Sequence, residues 1–194
     1  MKRLLDSIKG CRPLGVAAIA SMCFAADAHA DGAHQKMMLG AYTDAAEGQT
    51  VLAGRYGAVI EVLGGHGLRF KQDELAASTN LCVAYIMTHR WNEARPACDE
   101  AIRFAKLEMP ESPGFADDAH HESVAMAYSN RAVLEWLEAR SASAADDLAK
   151  AHTLAPSADF VAQNLARLHA SLTAAGSGSP ARGSASTTAM AAHG

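Results

Sequence analysis

Residues able to do chemistry are sparse in this chain, and the densest group is Asp117, Asp118, His120, His121 and Glu122. Carboxylates and imidazoles are the ligand types of a divalent cation. Adjacent histidines point in different directions, however, and acids at a helix start are also what the helix dipole favours. Asp117, Asp118, His120 and His121 are therefore weak metal candidates beside the simpler expectation of a solvated helix start. His121-Glu122 opens like a zinc-protease helix, but Ala125 stands where the second histidine is needed. Gly64-Gly65-His66-Gly67 has no glycine at Phe70 and follows a helical stretch, so it reads as a loop and not a dinucleotide site. No P-loop and no nucleophile elbow occurs. The expectation is a protein without catalytic residues and without a cofactor.

The elements that carry these residues follow from composition and period. Of 194 residues, 49% are hydrophobic, 20% charged and only 6% aromatic. Alanine dominates the apolar set and β-branched residues are few, which favours helices over strands. The length suits one domain with a sizeable core. A net charge of −4 argues against nucleic acid or an anionic membrane surface as partner.

Lys2, Arg3, Lys9 and Arg12 precede an uncharged apolar run over 14–26, and Ala28-His29-Ala30 gives a small-x-small cleavage pattern. Residues 1–30 therefore read as a signal peptide cut after Ala30, which places the protein in the periplasm or outside the cell. The run is shorter than the roughly 20 residues of a membrane span, and no later segment approaches one. A lipoprotein reading at Cys23 suffers from Met22, where a small residue is wanted. After cleavage Cys82 and Cys98 remain. In an oxidising compartment they can form a disulfide. The alternative is two small core residues, since packed helices often hold Cα atoms beyond bridging distance.

Apolar residues recur at helical spacing over 73–88, 92–105, 122–140, 143–154 and 159–173, with a short helix over 56–63 stopped by Gly64-Gly65. No period-two alternation is present, so no strands are expected. The stretch 31–35 is expected to be loose, and 176–194, rich in Gly, Ser, Ala and Thr, to be a disordered tail. Small residues then repeat: Cys82, Ala94 and Ala101 have the same 12- and 7-residue steps as Ala132, Ala144 and Ala151. Small side chains at those offsets let paired helices approach closely, and Leu81, Tyr85, Phe104, Leu148 and Leu154 fill the gaps.

The segments 130–156 and 80–104 resemble the tetratricopeptide repeat, a helix–turn–helix unit of about 34 residues. Asn130 and Asn164 are 34 residues apart, and excising a 16-residue loop at 106–121 restores the same period from Asn80. Glu47, Val59 and His66 occupy the small-residue slots of a degenerate leading unit. The resemblance implies an all-α, right-handed superhelix over 31–175, with about two full repeats, one degenerate leading repeat and a C-terminal capping helix. Two departures stand out. Glu135 sits where the family prefers a large apolar residue and is expected to loosen the packing, and Pro96 is expected to distort the first turn of its helix.

In this family the first helices line a concave face, and Asn80, Asn130 and Asn164 share one register there. An asparagine amide offers a donor and an acceptor to a peptide group. The resemblance therefore implies a groove for an extended polypeptide, with Val83, Met87, Val133, Leu137 and Arg167 as neighbours. The simpler alternative is asparagines that fit between stacked helices or bond locally. The lysines that clamp a terminal carboxylate in some relatives have no counterpart, since Ala76, Thr79, Met126 and Ser129 hold those slots. Trp91 and Trp136 read as core. The function expected is a scaffold that binds a protein or peptide in the cell envelope. The alternatives are an assembly protein that self-associates or packs into a larger complex, and a metal- or small-ligand-binding periplasmic protein.

Overall fold

Alanine and leucine at helical spacing give a chain that is mostly helical. The computed structural model describes residues 19–23, 36–65, 74–108 and 118–177. The order is β1 (Ile19–Cys23), β2 (Met38–Tyr42), α1 (Gly48–Leu52), α2 (Tyr56–Gly64), α3 (Glu74–Met87), α4 (Trp91–Leu107), α5 (Asp118–Leu137), α6 (Ser141–Leu154) and α7 (Asp159–Ser177). No helix among the described residues is long and apolar enough to cross a membrane.

Helices α3 and α4 pack as one hairpin and α5 and α6 as another, with α4 against α5 joining them. The small residues meet where the seams need them. Cys82, Ala94, Ala101, Ala132, Ala144 and Ala151 are all fully buried. Leu81, Tyr85, Phe104 and Leu148 close the gaps around them, and Trp91 and Trp136 pack half-buried against the same core.

The turns repeat as well. Gly54, His89 and Ala139 each adopt a left-handed conformation, with φ of 68°, 58° and 59°. In each case the next residue is an arginine whose N–H reaches back across the turn: Arg55 to the carbonyl of Thr50, Arg90 to Tyr85 and Arg140 to Glu135. The left-handed residues donate to Val51, Ile86 and Trp136. This is one helix-ending motif used three times, and it satisfies the last carbonyls of α1, α3 and α5. Only the first copy has glycine. His89 and Ala139 hold a conformation that costs an L-residue about 1 kcal/mol.

Several expectations need correction. Two strands exist where none was expected, and they pair antiparallel with Ile19 opposite Tyr42 and Cys23 opposite Met38. The expected loop 106–121 is helical at both ends, because α4 runs to Leu107 and α5 begins at Asp118. Helix α7 reaches Ser177, inside the expected tail. The rest of that tail, the cleavage position at Ala30 and the stretch 31–35 lie outside the described residues.

Pro96 leaves α4 unbroken, standing on its exposed side. Glu135 is buried, and its carboxylate pairs with Arg95 at 2.7 Å and Arg140 at 2.6 Å. Glu138 pairs with the same two arginines. A charge that would loosen an apolar seam is thus neutralised by a network joining α4, α5 and the following turn. A second network centres on Arg131 of α5, which forks onto buried Asp147 of α6 at 2.7 and 2.9 Å and reaches Asp99 of α4 at 2.8 Å.

Strand β2 lies inside this frame rather than on it. Met37, Leu39 and Ala41 belong to one buried cluster with Val51, Val59, Cys82, Val133 and Leu168. Met38 belongs to the other, with Leu75, Met126, Tyr128 and Val161, and Tyr42 packs against it. Successive side chains point to opposite sides of a strand, and here both sides are core.

Candidate functional site

Asn80, Asn130 and Asn164 come from α3, α5 and α7, and all three are buried. Each amide head meets the main chain of β2. Asn80 accepts from the Tyr42 N–H at 2.9 Å and donates to the Tyr42 carbonyl at 3.0 Å. Asn130 does the same to Gly40 at 2.8 and 2.7 Å. Asn164 does it to Met38 at 2.7 and 2.8 Å, and its amide nitrogen also donates to the Ser129 hydroxyl at 3.0 Å.

The geometry is that of a β-ladder with side chains in place of one strand. Alternate residues of a strand turn their N–H and C=O to the same edge. Met38, Gly40 and Tyr42 are such alternates, so three amides spaced by the helix stack satisfy one whole edge. Leu39 and Ala41 turn theirs to the opposite edge, where β1 pairs. The strand runs against the order of the helices, since Tyr42 meets α3 and Met38 meets α7.

Close approach at the centre depends on Gly40. A Cβ there would lie 2.5 Å from Met126 Cγ and 2.6 Å from its sulfur. No side chain fits between β2 and α5 at that point without moving Met126. The Tyr42 phenol sits at one end of the ladder. Burial pushes its pKa up to about 12, with the nearby Ser123 opposing and Glu108 and Glu122 pushing the same way as burial.

The expected neighbours gather as well. Val83 and Val133 are buried in the cluster that holds Leu39 and Ala41, and Met87 and Leu137 pack half-buried against it. Arg167 is half-buried and turns to Gln163 at 3.3 Å. What these side chains hold is a segment of the same chain, not a separate peptide. β2 and Gly40 were missed because a strand buried on both sides leaves no alternation. The uncharged run from Met37 to Tyr42, between Lys36 and Thr43-Asp44, is the signal that marks it.

The other candidates fare differently. Cys82 and Cys98 are bridged, with Cα atoms 4.8 Å apart, so the disulfide ties α3 to α4. Asp118 is exposed and His120 and His121 half-buried at the start of α5, while Asp117 lies outside the described residues. Among the described residues no three His, Cys, Asp or Glu side chains gather as a metal site would require. A shallow apolar cavity of about 450 Å³ lies between α4, α5 and α6, lined by Val124, Tyr128 and Leu154 with Lys106 and Lys150 at its sides.

No family model, characterised protein or solved structure matches this chain.

Proposed function

We propose that this protein is an exported, non-catalytic interaction module of the tetratricopeptide type, a scaffold that grips extended polypeptide backbone on the inner side of stacked helix hairpins. One observation carries the reading. Three asparagine amides at one register each hold both the N–H and the C=O of alternate residues in an extended segment. Such a device recognises main chain and nothing else, which is the chemistry a peptide groove needs.

The threefold turn at Gly54, His89 and Ala139 supports stacking of like units. The Cys82–Cys98 bridge suits an oxidising compartment and so supports export. Strand β2 is a built-in occupant rather than a loose plug. Removing it would expose Met37, Met38 and Leu39, all buried, at about 1.5–3 kcal/mol for each such side chain. The asparagines are therefore filled by β2, and a partner's backbone is taken by the strand they seat rather than by the amides themselves.

The test uses the exported chain and envelope extract. A partner cross-linked to the wild type is expected to be lost from a variant carrying Asn80→Ala, Asn130→Ala and Asn164→Ala that keeps its helical circular dichroism. A helical triple variant that holds the same partner equally well would overturn the reading.

A further inference from the structure

Strand β2 has two edges, and only one is satisfied by the helices. Met38, Gly40 and Tyr42 turn to the asparagines. Leu39 and Ala41 turn away from them, toward β1, with Leu39 opposite Met22 and Ala41 opposite Ala20. β1 is residues 19–23, which fall inside the segment expected to be cut off after Ala30. The outer edge of β2 is thus held by a strand that the exported chain loses.

We infer that this outer edge is a strand-addition site, kept shut by β1 in the precursor and taken after processing by an extended, uncharged segment of another polypeptide running antiparallel to β2. The inference rests on the proposed reading as an exported peptide-backbone module. Its physical driver is the state of β2 once β1 is gone. Leu39 and Ala41 then have unpaired N–H and C=O groups on a strand whose side chains are core, and such groups strongly prefer a partner. A peptide strand supplies both donors and acceptors at the right period.

The chemistry of the occupant follows from what sits there now. β1 is five residues long, carries no charge and reads Ile-Ala-Ser-Met-Cys. A partner of this type offers an extended run of small and apolar residues, without proline at the two positions that face Leu39 and Ala41. A charged residue opposite Leu39 or Ala41 would lie beside a buried apolar side chain and is disfavoured.

Amide hydrogen exchange on the full chain tests this, with β1 disabled by Ala20→Pro and Met22→Pro. Leu39 and Ala41 are expected to exchange about 100-fold faster than in the wild type, while Met38, Gly40 and Tyr42 stay slow. Adding a synthetic peptide of residues 17–25 is expected to restore slow exchange at Leu39 and Ala41, and the same peptide with proline at both facing positions is not. If Leu39 and Ala41 stay slow in the disabled monomer, or the peptide restores nothing, the inference is overturned. Protection that grows with protein concentration and doubles the mass in light scattering would assign the edge to a second copy and overturn the partner proposed here. Fast exchange at Met38, Gly40 and Tyr42 would instead be a failure of the groove reading itself.

Discussion

Asn130 and Gly40 are 90 residues apart in sequence and exchange two hydrogen bonds, 2.8 Å to the glycine N–H and 2.7 Å to its carbonyl. A single side chain thereby stands in for a rung of β-sheet in the middle of a helical core. Truncation would leave both groups of Gly40 buried without a partner. Asn130→Ala is expected to lower unfolding free energy by about 3 kcal/mol, read from denaturant titration. A cost below about 0.5 kcal/mol would mean the ladder contributes nothing to holding β2.

The contact between Gly40 and Met126 predicts a reciprocal pair. Gly40→Ala forces a methyl group into Met126 and is expected to cost about 2 kcal/mol. Met126→Ala leaves a cavity and is expected to cost about 3 kcal/mol alone. Together they relieve each other, so the double variant should be more stable than the sum implies by at least about 1 kcal/mol. Additive effects would show that the two sites are independent.

The buried phenol of Tyr42 gives stability a signature in alkali. In the unfolded chain its pKa is about 10, whereas in the fold burial holds it near 12. The folded protein keeps the proton longer, so this contribution is intact below pH 10 and is lost as pH rises toward 12. The stability difference between wild type and Tyr42→Phe is expected to shift by about 2 kcal/mol against the wild type across that window. Parallel profiles from pH 8 to 12 would contradict the burial of this hydroxyl.

The disulfide can be exchanged for what the next hairpin uses. The residues 50 positions on from Cys82 and Cys98 are Ala132 and Leu148, both fully buried. Cys82→Ala with Cys98→Leu is expected to fold, with a loss of up to about 3 kcal/mol for opening a loop of this length. Its unfolding midpoint should ignore reductant, while that of the wild type should fall.

Sequence reasoning reaches the seams because packing two helices closely demands small residues, and Ala94, Ala101, Ala144 and Ala151 announce that demand by their spacing. The asparagine register is legible for the same reason, as a repeat. Strand β2 is not: with Met37, Leu39 and Ala41 on one side and Met38 on the other all buried, no polar face alternates, and Gly40 interrupts the run. The fate of Cys82 and Cys98 depends on a separation of 4.8 Å that no spacing encodes. Glu135 looks like a flaw until Arg95, 40 residues earlier, is seen to face it.

Amide heads that meet the strand only at its peptide groups are blind to the identity of its side chains. The ladder itself excludes only proline at residues 38 and 42, whose missing N–H would orphan an asparagine oxygen, while their burial still asks for apolar side chains. Selection falls more sharply on Gly40, where any Cβ would have to displace the Met126 side chain. A drifting sequence at this strand would keep its seat so long as its buried positions stayed apolar and those two constraints, one chemical and one steric, were met.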